Sequence, residues 1–247
     1  MMSVFYEELA PKEFSERIKD CPVGYLPLGT IEWHGPQNPL GVDILQAREL
    51  FALAAGQFGG IVFPPLFLGP DRHMEMDGTE YTGMDVYFTA LKCPPYPLQQ
   101  FPGSCYWVSD ETYRIILDAV FRQAARAGFK VLMGTGHGPS RLLFESMAAE
   151  AQKKYGLTLL SPYMGKRKIG FAGDHAAKSE TSNMLYFRPE LVHMDRLDPD
   201  PEKFPPGVSG PDPRTEASAE YTASILPDTL TQIGELIGES LGRRSES

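Results

Sequence analysis

The chain has 247 residues, 42% hydrophobic and 22% charged, the balance of a folded globular protein. Its 23 basic and 32 acidic residues give a formal net charge of −9, so the surface repels polyanions, which argues against nucleic acid or an anionic membrane as partner. No apolar run is long enough to cross a bilayer, the N-terminus lacks a signal-peptide core, and Cys21, Cys93 and Cys105 are odd in number without metal-type spacing. A cytoplasmic protein with reduced thiols is expected.

"VGYLPLGTIE" (23–32) has strand chemistry and ends in Gly-rich turn material, and a helix-period stretch follows at about 44–57. "GGIVFPPLFLG" (59–69) reads as a buried strand. Residues 70–108 are rich in aromatics, acids and Pro and read as an irregular insertion, long enough to suggest a lid or binding loop. Ser109 or Asp110 can cap a helix that Gly128 stops. The strand 129–134, the loop "TGHGPS", a helix at 141–156 and a strand at 157–161 follow. Another helix covers "SETSNMLYF" and ends before Pro189; an acidic, Pro-rich loop (195–214) leads to the last one, with Pro227 at a break or first-turn position. Strands alternating with helices predict one α/β domain over 1–247, a mainly parallel β-sheet flanked by helices on both faces, with its site beyond the carboxyl ends of the strands.

Three segments carry the chemistry. In "GTIEWHGPQNPLGVD" (29–43) an extended backbone puts Glu32 and His34 on one side and Trp33 on the other, and a stiff return brings Asp43 to the start of the next helix. His137 arrives from a different strand between glycines that let backbone approach closely. Two carboxylates and two imidazoles suit Zn, Mn or Fe better than Ca or Mg. In "GDHAAKSETSNMLYFRPELV" (173–192), His175 sits in a loop and Glu180 in the first turn of a helix. Spacing alone reads these two equally well as a solvated histidine and a capping acid.

"PLGTIEWHGPQNPLGVD" resembles the signature block of the creatinine amidohydrolase (creatininase) family. "FPGS", "GFKVLMGTGHG", "DHAAKSETSNMLYFRPELV" and "GPDPRTEASAEYTASIL" resemble its later blocks in the right order, so the likeness runs over nearly the whole chain except about 70–100. The resemblance implies a short parallel sheet, a homo-oligomer (often a hexamer), two divalent metal ions (Zn, Mn or Fe) and hydrolysis of a C–N amide bond in a small-molecule amide by a metal-activated water. Carried over, Glu32 and His137 hold one ion, His34 the other, and Asp43 bridges them. His175 matches the catalytic histidine, as an imidazolium that protonates the leaving nitrogen or holds the oxyanion. Glu180 is either the base or a ligand.

The departures from the family pattern cluster near the expected pocket. Pro139 stands where creatininase itself has a metal-binding glutamate, Trp33 where Gln is usual, Ser140 where Asn closes the block, and Phe101 in place of His. Lys178 occupies a position acidic in some branches. Alternatives kept open are a formamide hydrolase, a peptidase trimming a modified peptide, and a metal-binding, non-catalytic scaffold. In the insertion, Tyr81, Tyr87, Phe88, Tyr96 and Trp107 either stack on a planar ligand or pack an interface, Asp71, Glu75 and Glu80 would attract a cationic ligand, and His73 is a loop histidine or one that reaches the metals.

Overall fold

A computed structural model describes residues 3–86, 93–166, 170, 171 and 173–242. In chain order its elements are α1 (Pro11–Asp20), β1 (Val23–Leu28), α2 (Val42–Phe58), β2 (Ile61–Val62), β3 (His73–Met76), β4 (Thr79–Thr82) and α3 (Asp110–Ala127). There follow β5 (Val131–Gly136), α4 (Gly138–Ser146), α5 (Ala148–Tyr155), β6 (Thr158–Leu160), α6 (Lys178–Phe187), α7 (Pro213–Glu216) and α8 (Ala219–Ser240).

The central sheet has the order β2–β1–β5–β6, and every pairing in it is parallel. Parallel strands need helical crossovers, which cover both faces, and all six residues of β1 are accordingly buried. The period-2 alternation decides which face each side chain fills. Val23, Tyr25, Val131 and Met133 pack with Leu50, Phe51, Leu226 and Ile233 from α2 and α8. Leu26, Leu28 and Leu132 pack with Leu117, Phe121 and Phe144 from α3 and α4 on the other face. Each such fully buried side chain contributes about 2 kcal/mol.

Local chemistry explains where elements begin and end. Ser109 Oγ accepts the Thr112 N–H at 3.3 Å, and Gly128 stops α3 in the left-handed region at φ 106°. The strand expected over 59–69 is only two residues long, because Pro64 and Pro65 have no N–H to donate to a ladder. β5 runs on to Gly136. The helix expected over 141–156 starts at Gly138 and is two helices, divided at Met147 (φ −90°, ψ 1°). Pro227 sits inside α8 rather than at a break or first turn; both it and Ala223, whose carbonyl it leaves without an intrahelical donor, are exposed, so water can serve that carbonyl.

The segment expected to be irregular contains a hairpin. β3 and β4 pair antiparallel, from His73↔Thr82 to Met76↔Thr79, around Asp77-Gly78 at φ 51° and 73°. Both central turn residues at positive φ make the two-residue turn that matches strand twist, for which Asp-Gly is a favoured dipeptide. Among the described residues no helix is long and apolar enough to cross a membrane.

Because β1, β2 and β5 are parallel, their carboxyl ends share one rim. β1 runs into residues 29–34, β5 into His137, and β2 leads through 63–70 to Asp71.

Candidate metal centre

A close backbone approach builds the centre. Gly136 pairs with Leu28, and a Cβ on it would lie 1.8 Å from the Leu28 carbonyl oxygen at φ +135°, so only glycine fits. The next residue's N–H, that of His137, donates to the same carbonyl at 2.8 Å. His137, between its two glycines, is therefore the N-cap joining β5 directly to α4, with no loop between them. Asp43 is the second residue of α2, where the helix dipole favours a carboxylate. Glu32 and His34 lie past the end of β1 yet reach one cluster. Trp33 turns away and stacks on Phe101 at 4.7 Å.

Each of three histidines is anchored the same way. A carbonyl can only accept, so the ring nitrogen beside it must donate. His34 Nδ1 donates to the Glu32 carbonyl at 3.1 Å, His137 Nε2 to that of Pro70 at 3.1 Å, and His175 Nε2 to that of Trp33 at 2.7 Å. The opposite nitrogens face acids. His34 Nε2 is 3.6 Å from Asp43 Oδ2, 3.6 Å from Glu180 Oε2 and 3.9 Å from Glu32 Oε1. His137 Nδ1 is 3.0 Å from Glu32 Oε1 and 3.2 Å from Asp43 Oδ2, and His175 Nδ1 is 3.8 Å from Glu32 Oε1. The His34 and His175 rings stack at 4.4 Å.

The site's electrostatics show what it lacks. Burial opposes ionisation of Glu32 and Asp43, but the facing imidazoles outweigh it and hold both acids below their ordinary range. Burial disfavours charge on His34, yet Asp43, Glu180 and Glu32 push its pKa up to about 10; Glu32 and Asp43 likewise hold His137 well above the ordinary value. Burial, opposed by His34 and aided by Asp43 and Asp174, raises Glu180 to about 8. Burial and then the charge on His34 lower His175 to about 4. Both effects favour the neutral imidazole in the metal-free site, where the resemblance implied an imidazolium.

These donors fit a divalent ion. Among the described residues no lysine or arginine forms an ion pair with Glu32, Asp43, Asp71 or Glu180. His34 Nε2 is buried with no hydrogen-bond partner. Ligand atoms roughly 2.1 Å from a tetrahedral ion lie roughly 3.4 Å apart, close to the spacing around that nitrogen. Three overlapping donor groups result: Glu32, His34 and His175; Glu32, Asp71 and His137; and His34, Asp43 and Glu180.

All six sequence-derived residues meet here, and five of them line a cavity of about 550 Å³, with His34 buried behind it. Asp71, expected only to attract a cationic ligand, points into the cluster, with its Oδ1 3.9 Å from His137 Nε2. Its signal was position: it follows β2 on the rim where strands run out. His73 does not reach the cluster; it pairs with Glu80 at 2.7 Å and stacks on Trp107 at 4.7 Å. Tyr81, Tyr96 and Trp107 do not line this cavity, and Trp107 belongs to a separate one of about 570 Å³. Tyr87 and Phe88 lie outside the described residues. Glu180 does cap its helix region, accepting the Ala176 N–H at 2.7 Å, while also facing His34. Pro139 lines the cavity in the first turn of α4, and Ser140 Oγ donates to the Gly29 carbonyl at 3.2 Å. Lys178 instead lies over the Tyr221 ring at 4.5 Å.

A parallel α/β sheet that gathers carboxylates and imidazoles on one rim defines a class of metal-binding scaffolds. Comparison with known proteins is more specific: the family model described as creatinine amidohydrolase matches residues 7–237, and the chain belongs to this creatininase family of hydrolases. It is 26% identical over 261 aligned positions to creatinine amidohydrolase of Pseudomonas putida, covering 96% of this chain and 92% of that protein. A crystal structure of creatinine amidohydrolase (creatininase) is 25% identical, with a TM-score of 0.72 over 97% of this chain and 98% of that one. A mutant creatininase of Zn-Zn type is 25% identical, with a TM-score of 0.70 over 97% and 98%.

Proposed function

We propose that this chain is a dinuclear metal-dependent amidohydrolase that cleaves a C–N bond in a small cyclic amide or formamide. The observation that carries the reading is the convergence of three carbonyl-anchored imidazoles on buried carboxylates that, among the described residues, no lysine or arginine pairs with. Anchoring the distal N–H of a ligand histidine fixes its tautomer and aims its lone pair, a feature common to metal sites. Glu32 and His137 would hold one ion and His34 the other, and Asp43 would serve as a ligand to the pair. Glu180, 3.6 Å from His34 Nε2, supplies the carboxylate that creatininase has at the position of Pro139. Zinc, manganese or iron suits this mixed nitrogen and oxygen set, and the Zn-Zn relative supports a pair.

When bound, such ions act as Lewis acids on a carbonyl and acidify water. The chain's own residues do the rest. His175, neutral, accepts at Nδ1 a proton from the attacking water and returns it to the leaving nitrogen, so the products are a carboxylic acid and an amine. The cavity of about 550 Å³ suits a small molecule. Pro139 removes a creatininase feature from that cavity, which argues for an amide other than creatinine.

We also place the protein in the cytoplasm as a homo-oligomer of one domain. Among the described residues Cys21, Cys93 and Cys105 form no disulfide, and β3 exposes Met74 and Met76, a surface suited to self-association. Light scattering checks the assembly.

The primary test is elemental analysis beside Glu32→Ala and Asp43→Ala, followed by a panel of cyclic amides and formamides. About two ions per chain, falling in both variants, is expected. A wild type that cannot be loaded with any divalent ion would overturn the hydrolase reading.

A further inference from the structure

We propose that Asp71 is a protein ligand of the ion held by Glu32 and His137, delivered by the neck of the β3–β4 hairpin. The inference rests on the dinuclear reading above and adds to it a residue from the segment least like the family.

Asp71 immediately precedes the hairpin, whose other end returns to it: the Gly83 N–H donates to the Arg72 carbonyl at 2.9 Å. Its Oδ1 accepts the Arg72 N–H at 2.7 Å, which fixes the carboxyl group. The side chain is 8% exposed and lies beside Glu32, nearly as buried at 5%.

Gly83 is what allows the contact. It has φ +55°, and a Cβ there would lie 2.5 Å from Asp71 Oδ2 and 3.0 Å from Glu32 Oε2. Both its conformation and the space beside it require glycine. The chain thus presses two carboxylates together under a residue with no side chain, and one donor atom each from Asp71, Glu32 and His137 lie within 4.8 Å of one another. Two adjacent buried acids need a shared proton or a cation, and the imidazole completing the group selects the cation. Coordination by Asp71 also ties the hairpin to the ion, so loading should order residues 72–83.

The test compares wild type with Asp71→Asn, which is isosteric, after stripping and reloading with Zn²⁺. Titration calorimetry reads affinity, and amide hydrogen exchange over 72–83 reads the hairpin. Wild type is expected to hold two ions and to slow exchange there on loading. Asp71→Asn should keep the His34-side ion, which shows that its centre is folded, while the other binds at least tenfold more weakly and the exchange response disappears. Gly83→Ala, which keeps the carboxylate but crowds it, should shift affinity in the same direction. If wild type and Asp71→Asn both hold two ions with equal affinity and equal exchange protection, Asp71 is no ligand and the dinuclear reading stands. A wild type that holds no ion overturns both.

Discussion

Glu180 Oε2 stands 3.6 Å from His34 Nε2 while accepting the Ala176 N–H at 2.7 Å, so one carboxylate both fixes the start of α6 and faces the deepest imidazole of the cluster. This double use separates Glu180 from an ordinary capping acid, which would face solvent. Glu180→Gln keeps the shape and an acceptor for the Ala176 N–H but removes the charge. Its content of tightly bound metal should fall from about two ions to one, with affinity at the weakened position down by roughly tenfold or more. Dialysis against a chelator followed by elemental analysis measures this. Two fully retained ions would return Glu180 to the role of base.

His175 has a different part. Its Nε2 is held by the Trp33 carbonyl at 2.7 Å, and its pKa of about 4 leaves Nδ1 free of a proton at neutral pH. His175→Ala should lose roughly 10²–10⁴-fold in turnover with metal content unchanged. A variant that loses an ion instead would make His175 a ligand, consistent with its place in the donor group of Glu32 and His34.

Metal loading should release protons. The pKa of His34 is about 10 and that of His137 well above ordinary, so both carry an extra proton in the metal-free chain at pH 7.5. A coordinating nitrogen must give its proton up, so apparent metal affinity should rise with pH. The sign for the metal-free fold is opposite. His34 has a raised folded pKa, so its stabilising charge is fully present below its unfolded value of about 6.5 and is lost as pH rises through about 10. Calorimetry in buffers of different ionisation enthalpy should find at least one proton released per ion at pH 7.5. No proton release would mean that these imidazoles are already neutral.

Residues fixed by short, stiff stretches of chain were legible in the sequence. Glu32, His34 and Asp43 fall within twelve positions punctuated by Gly and Pro, and Ser109 and Gly128 mark the ends of α3 by purely local chemistry. Asp71 was not read as a member of the cluster, because its place depends on a hairpin closing eleven residues later at Thr82 and on Gly83 yielding space to two acids. Asp77-Gly78 is a hairpin signal, but its flanking strands are only four residues long and bury none of their residues, so the segment read as irregular. Pro227 misled for the opposite reason: a proline on the solvent side of a long helix need not end it.

Two departures from the family pattern turn out to be partners. Trp33, where Gln is usual, and Phe101, where His is usual, stack at 4.7 Å and 11°, and the indole N–H donates to the Pro206 carbonyl at 3.0 Å. The pair joins the segment carrying Glu32 and His34 to the end of the insertion. Phe101 is 7% exposed, and Phe101→Ala should cost about 3 kcal/mol in urea unfolding. Trp33→Gln should cost less, because Trp33 is only half-buried, and the two changes together should fall short of their sum by about 1 kcal/mol, the coupling typical of an aromatic pair. Additive losses would mean that the rings are neighbours without mutual support, and that the two departures from the pattern arose independently.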